Sequence, residues 1–204
     1  MPDLGSLDRP ELAARALHIL ANHELQAVEL FAFALLAYPE APPAFRRGLL
    51  RVLAEEQGHV GLYLERLRAF DATLGDLPVN GYFWRKSRDF ATPSHFVAGV
   101  SLTFEGRNLD HSVEFEAAFR AAGDEASAAL MKRIHEDEIG HVRFGMTWLK
   151  RFAGTADPWD AWTTHLVWPL RPGKARGVSF QREARLAAGM DPEFVDRLEG
   201  TAIE

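Results

Sequence analysis

Apolar positions recur three and four apart along four long stretches of the chain, and no segment alternates convincingly with period two. That pattern predicts long amphipathic helices and no strand. A first helix is predicted from Pro10, a favoured first-turn residue, to about Tyr38, where PEAPPAF breaks it. A second runs from near Pro43 to about Leu74, with Gly75 as its stop. Thr92 and Pro93 read as N-cap and first turn of a third. Residues 121–124 (AAGD) end it and cap a fourth, which reaches about Phe152 with Gly154 beyond it.

Helices of roughly 30 residues are about 45 Å long. The two tight turns predict two antiparallel hairpins. The connection between them, 75–91, has 17 residues. Fully extended it covers about 56 Å, enough for one crossover down the side of a bundle. Two hairpins joined by one long crossover make the ferritin-like form of the four-helix bundle. Past Gly154 the chain turns rich in Trp and Arg, with short helices expected around 159–167, 181–188 and 192–198. The expected architecture is all-α: a single domain over 1–204, with the bundle at about 9–153 and a helical C-terminal extension at about 154–204.

Composition narrows the function. A net charge of −6 gives no bulk electrostatic support to nucleic-acid or membrane-surface binding. The absence of cysteine excludes disulfides, iron–sulfur clusters and thiolate metal sites, and it fits a reducing compartment. The first residues lack the basic and apolar regions of a signal peptide. The longest apolar run, 30–38, is far short of a membrane span of roughly 20 residues. The expected location is cytoplasmic.

The chemistry lies in two Glu-x-x-His pairs, Glu56/His59 in the second helix and Glu138/His141 in the fourth. Residues three apart share a helix face, so acid and imidazole can grip one ion together. Glu56 falls on the apolar stripe Leu49, Val52, Leu53, Val60, Tyr63, Leu67, and Glu138 on Met131, Ile134, Val142, Leu149. Each acid therefore points toward the core, where an unpaired carboxylate costs several kcal/mol and needs a cation or a proton.

A metal pair needs further oxygen ligands, one from the first helix of each hairpin. Glu105, on the face of Ala98, Leu102 and Leu109, precedes Glu138 by 33 positions. Glu24 precedes Glu56 by 32 and Glu29 by 27, so Glu24 repeats the spacing of the other half. Glu29 is rotated from Glu24 by about 140° and is expected beside the ligands or on the surface. Glu55 and Asp137, each just before a Glu-x-x-His acid, are placed to hydrogen-bond the other half's histidine. Glu24, Glu56, His59, Glu105, Glu138 and His141 make the ligand set of ferritin-like dinuclear carboxylate proteins, suited to two Fe ions or to Mn/Fe per chain.

The segments HELQAVELF with EEQGHV, DLPVN, FEGRNLD, EDEIGHV and SFQREARLAAG together resemble an uncharacterised bacterial ferritin-like family, a domain of unknown function, over about residues 10–198. More distantly, HELQA, YPE and EEQGH resemble the di-iron tRNA hydroxylases that oxidise a prenylated adenosine; that resemblance puts Glu24 in the ligand place. It implies O₂ activation and an external electron donor.

The first functional expectation is an oxygenase or oxidase acting on a small molecule or modified nucleoside. Tyr82, Phe83, Trp84, Trp159, Trp162, Trp168 and Phe180 are candidates to roof its pocket. The basic residues Arg171, Lys174, Arg176, Arg182 and Arg185 could hold an anionic group, though a solvated face is the simpler reading. Arg107, two positions from Glu105, is expected to point away from the metals. The alternatives are ferroxidase or peroxide defence, and a structural or sensing metal centre. A homodimer is common in such bundles, although no residue demonstrates one.

Overall fold

The computed structural model describes all 204 residues, and it is all-helical with no strand. Four long helical segments carry most of the chain. Helix α1 (Pro10–Ala37) pairs with α2 (Pro43–Arg68). The third segment, 93–121, is composite. A four-residue α4 (Pro93–Phe96) leads into a π-helical stretch (Val97–Phe104) and then α5 (Glu105–Ala121). It pairs with α6 (Glu125–Ala153), and the two hairpins meet through α2 and α6.

The helix ends reflect local chemistry. Thr92 accepts from His95 N–H at 3.3 Å and Asp124 from Ser127 N–H at 3.0 Å, each capping the helix it precedes. Helix α2 stops six residues before the predicted Leu74. The stop is Asp71, in the left-handed region at φ 53°, and Ala72 N–H closes onto the Leu67 carbonyl at 3.1 Å. This is the bond pattern that glycine usually ends, here carried by an aspartate.

The connection between the hairpins runs along α1, parallel to it, from His18 to Tyr38 just past its end. His18 accepts from Gly75 N–H (3.0 Å), and Asn22 donates to the Asn80 carbonyl (3.0 Å). Further on, Gln26 accepts from Phe83 N–H (3.1 Å), and Tyr38 donates to the Phe90 carbonyl (2.7 Å). It contains a short helix not foreseen from sequence, α3 (Tyr82–Ser87).

Beyond Gly154 come α7 (Pro158–Thr164), a 3₁₀ turn (Pro172–Ala175), α8 (Arg182–Ala187) and α9 (Pro192–Glu199). They pack on the third segment and α6. Trp162 is fully buried and donates to the Ala98 carbonyl at 3.1 Å, so the extension shares the main core.

By length and composition alone α1 could cross a membrane, which the count of unbroken apolar runs did not register. Its alanines raise its apolar character. In the fold, Ala13, Ala16, Leu17, Leu20, Leu30, Phe31 and Ala34 are core residues. The buried apolar side chains form two clusters. One holds Leu17, Leu20, Tyr63, Leu67, Phe115, Phe119 and Met131; the other holds Phe31, Leu49, Val52, Leu102, Leu109 and Met146. In α1, α2 and α6 a polar layer lies between them, and in the third segment Glu105 joins it from between Leu102 and Leu109 of the second cluster.

A candidate metal centre

That layer is made of the six residues singled out by spacing. Glu24, Glu56, His59, Glu105, Glu138 and His141 are each at most 5 % exposed, so they are not solvated helix charges. Ligand atoms of Glu24, Glu56, His59 and Glu138 lie within 4.8 Å of one another, and so do those of Glu56, Glu105, Glu138 and His141. The two sets share Glu56 and Glu138. Each set has one imidazole and one further acid of its own.

The imidazoles are oriented from outside. His59 Nε2 lies 3.3 Å from Asp137 Oδ2, and His141 Nε2 lies 2.9 Å from Glu55 Oε2. An ionised carboxylate only accepts, so each Nε2 carries the hydrogen and each Nδ1 is turned inward. Inward, His59 Nδ1 is 3.3 Å from Glu56 and 3.7 Å from Glu24; His141 Nδ1 is 2.9 Å from Glu56 and 3.4 Å from Glu138. Asp137 is itself held by Arg133 at 2.7 Å. Burial pushes the Asp137 carboxyl up, but Arg133 and His59 outweigh it and hold it below the usual range. The hydrogen bond from His141 likewise holds Glu55 down. Asn108 donates to Glu138 Oε1 at 2.8 Å.

Without a cation the layer is electrostatically expensive. Burial, then the charge of Glu56, pushes the Glu24 carboxyl well above the ordinary carboxylate range, and burial does the same to Glu105. Burial also disfavours a charged His59, yet Glu24 and Glu56 raise its imidazole to about 11. Burial alone would raise Glu56, but His141 and His59 hold it well below its usual value. Both oxygens of Glu56 and of Glu105, Glu138 Oε2 and both Nδ1 atoms are buried with no hydrogen-bond partner. Seven such atoms converging on one space fit a bound ion pair: both oxygens of Glu105 are buried with no counter-charge within 4.0 Å, and Glu56 and Glu138 Oε2 otherwise face only the two imidazoles. Hard oxygens with two imidazoles and no thiolate suit Fe, Mn or Zn.

The π-helical stretch sits immediately before Glu105. Glu105 N–H bonds back to the Val100 carbonyl, and the Thr103 hydroxyl donates to the Ala98 carbonyl at 2.7 Å. A π turn inserts a residue into the helical repeat and rotates the residues beyond it, a device common at functional sites. Nothing in the hydrophobic pattern signals it.

A cavity of about 300 Å³ opens onto the layer and reaches Glu24, Glu56, Glu105 and Glu138. Leu20, Ala27, Leu30, Phe83, Val100 and Phe104 supply apolar wall. Phe83 and Phe104 stack with ring centroids 4.6 Å apart, and His23 leans on Phe83 at 5.0 Å. Burial pushes the His23 imidazole down to about 4.

Of the two places expected for Glu29 the structure takes the surface and not the one beside the ligands: it is exposed and accepts from Trp84 Nε1 at 2.6 Å, because five residues of helix turn it outward. Other expectations need correction. Of the expected roofing aromatics only Tyr82 and Phe83 line the cavity. Trp159 and Trp162 pack on Phe194, Trp168 is exposed, and Phe180 lies under Arg185. Arg107 does line the cavity mouth, despite its two-residue offset from Glu105.

Among known proteins, an uncharacterized protein of Haemophilus influenzae is 29 % identical over 143 residues, 66 % of this chain. The chain spans 50 % of the length of that relative. No solved structure matches the chain. Residues 1–196 match the family described as "Protein of unknown function (DUF455)". That match takes in every residue of the acid–imidazole layer, and the chain belongs to the DUF455 family.

Proposed function

We propose that this chain is a ferritin-like dinuclear metal protein that activates O₂ to oxidise a small organic molecule. The observation that carries the reading is the buried layer of four carboxylates and two imidazoles, with its orphaned atoms, at the floor of an apolar-walled cavity. Glu24 and His59 would hold one ion, Glu105 and His141 the other, with Glu56 and Glu138 between them. Two reducible ions, both Fe or Mn with Fe, would supply the electrons and the shared oxygen-binding position that the reaction needs.

The protein's own residues supply the rest. Asp137 and Glu55 hold a hydrogen on Nε2 of His59 and His141 and keep the Nδ1 atoms aimed inward, where each would give its lone pair to a bound metal. Asn108 fixes one oxygen of Glu138. Leu30, Phe83 and Phe104 exclude water from the floor and orient an apolar substrate. Such chemistry would draw its electrons from an external reductant.

The cavity favours an organic substrate over a purely structural centre, which needs no room beside its ligands. The test is the metal content of the purified protein, followed by O₂ uptake of the anaerobic Fe(II)-loaded form. Two metals per chain with O₂ uptake support the reading. Two metals without uptake point to a structural centre, and fewer than two under every loading condition refute the ligand set. Uptake with growing ferric deposits would instead favour ferroxidase chemistry.

A further inference from the structure

Two polar side chains on the cavity wall have their hydrogen-bonding roles fixed from behind. Asn108 and His111 both line the cavity, and they lie three residues apart on one face of α5. Asn108 gives an amide N–H to Glu138 Oε1 at 2.8 Å. A carboxylate that holds a metal only accepts, so the nitrogen of that amide is turned to Glu138 and Oδ1 is the end left over. His111 is fixed by Arg107, whose Nε–H points to His111 Nε2 at 3.0 Å. A guanidinium only donates, so Nε2 holds a lone pair and the ring hydrogen sits on Nδ1. Burial, then the Arg107 charge, pushes the His111 imidazole down, in keeping with that neutral form.

The Cδ2 side of the His111 ring is covered by Gly177, where a Cβ would stand 3.3 Å away. That leaves Nδ1 on the open side. Neither Asn108 Oδ1 nor His111 Nδ1 meets a partner in the chain, and neither is sealed from solvent. The wall therefore offers one acceptor and one donor, a helical turn apart, beside the apolar surface of Leu30, Phe83 and Phe104. A wholly apolar occupant would desolvate both atoms with no bond in return.

Resting on the oxidase reading for the claim that the occupant is a substrate, we propose that the cavity takes an apolar molecule with one neutral head group that both donates and accepts, a hydroxyl or a carboxamide. The head group donates to Asn108 Oδ1 and accepts from His111 Nδ1–H, and the apolar body lies along Leu30, Phe83 and Phe104. An ether of the same shape accepts but cannot donate, so it leaves Asn108 Oδ1 unpaired. Asn108 meets the head group with one end of its amide and Glu138 with the other, which sets the occupant's place relative to the acid–imidazole layer. A volume of about 300 Å³ suits a small ligand, at the lower end of known binding cavities.

The experiment measures, by calorimetry, the binding of heptanol, hexanamide, hexyl methyl ether and hexanoate, probes of equal size, to the protein as purified and after chelation. Metal content is determined on every sample. Heptanol or hexanamide is expected to bind about tenfold tighter than the ether, the effect of one hydrogen bond and of the acceptor that the ether strands. The tighter of the two identifies the head group. Asn108→Leu should abolish that ratio. His111→Phe should weaken alcohol, amide and ether together by about fivefold. His111→Gln, which can still accept from Arg107 and donate to the cavity, should restore them. Equal binding of ether, alcohol and amide overturns the proposal, as does a preference that survives both Asn108→Leu and His111→Phe. The latter would place the head group elsewhere, for instance on a metal. Tightest binding of hexanoate also overturns it and gives the choice of ligand to Arg107 and Lys174, which line the same cavity. Should Asn108→Leu fail to fold, the His111 variants carry the test, and equal affinities in His111→Phe and His111→Gln overturn it. Two metals with O₂ uptake but no preference over the ether would sink this inference and leave the oxidase reading standing. A preference lost in Asn108→Leu, in a protein that never holds two metals, would do the reverse.

Discussion

At Asp110 and Arg185 a carboxylate and a guanidinium are both fully buried and paired, at 2.6 and 2.9 Å. Asp110 also accepts from Gly177 N–H and Gln181 N–H, and Arg185 donates to the Gly106, Ala175 and Gln181 carbonyls. Phe180 covers the guanidinium at 4.1 Å. Removing one partner leaves the other charge buried and alone. Arg185→Ala or Asp110→Ala is therefore expected to cost about 3–5 kcal/mol, read as a lower urea midpoint. A loss below about 1 kcal/mol would mean the pair is solvated in solution. At the acid–imidazole layer the residue-level expectation is different. Glu56→Ala or Glu138→Ala should hold fewer than two metals per chain, whereas Glu29→Ala should hold both, by elemental analysis. Loss of metal from Glu29→Ala with retention in Glu24→Ala would reverse the choice between them.

Elements are held to one another where small residues let them approach. On α6, a Cβ added at Gly145 would stand 2.6 Å from Ser101 Cβ and 3.0 Å from a Leu102 methyl, both on the π-helical stretch. Gly145→Ala should therefore push α6 off the segment that positions Glu105. Overpacking of this kind costs about 1–3 kcal/mol, seen as a lower Tm, and it should loosen the metal held by Glu105 and His141 before the other. A Gly145→Ala variant with unchanged Tm and metal content would show that the two elements have slack.

For the whole molecule, the layer divides the core in two, and a bound ion pair would join the halves. Binding to the folded state alone stabilises by about 2.7 kcal/mol per site at a hundredfold excess over Kd. Chelation should accordingly lower Tm by several degrees, and Fe(II) or Mn(II) should restore it in proportion to the metal regained. A Tm indifferent to chelator, with metal demonstrably removed, would argue that protons on Glu24 and Glu105 satisfy the layer equally well. The extension is part of this unit. Trp162, Leu170, Val195 and Leu198 belong to the main core, so removal of 155–204 should leave a chain without cooperative thermal unfolding.

Periodicity and spacing by themselves determined the four long segments, their caps at Thr92 and Asp124, and the six acids and imidazoles that share inward faces. These are consequences of the helical repeat, which converts positions in the chain directly into directions in space. The outer carboxylates Glu55 and Asp137 were legible for the same reason. Only the tertiary structure decided the rest. The π-helical stretch depends on side-chain and core contacts such as those of Thr103 and Trp162 with the Ala98 carbonyl. The stop at Asp71 places in the left-handed region a residue that is not glycine, so no glycine in the sequence marks it. The burial of Arg185 against Asp110 and the presence of Arg107 and Lys174 in the lining of one cavity join positions far apart in sequence. Distance along the chain says nothing of such meetings, because they arise from how packed surfaces close over one another.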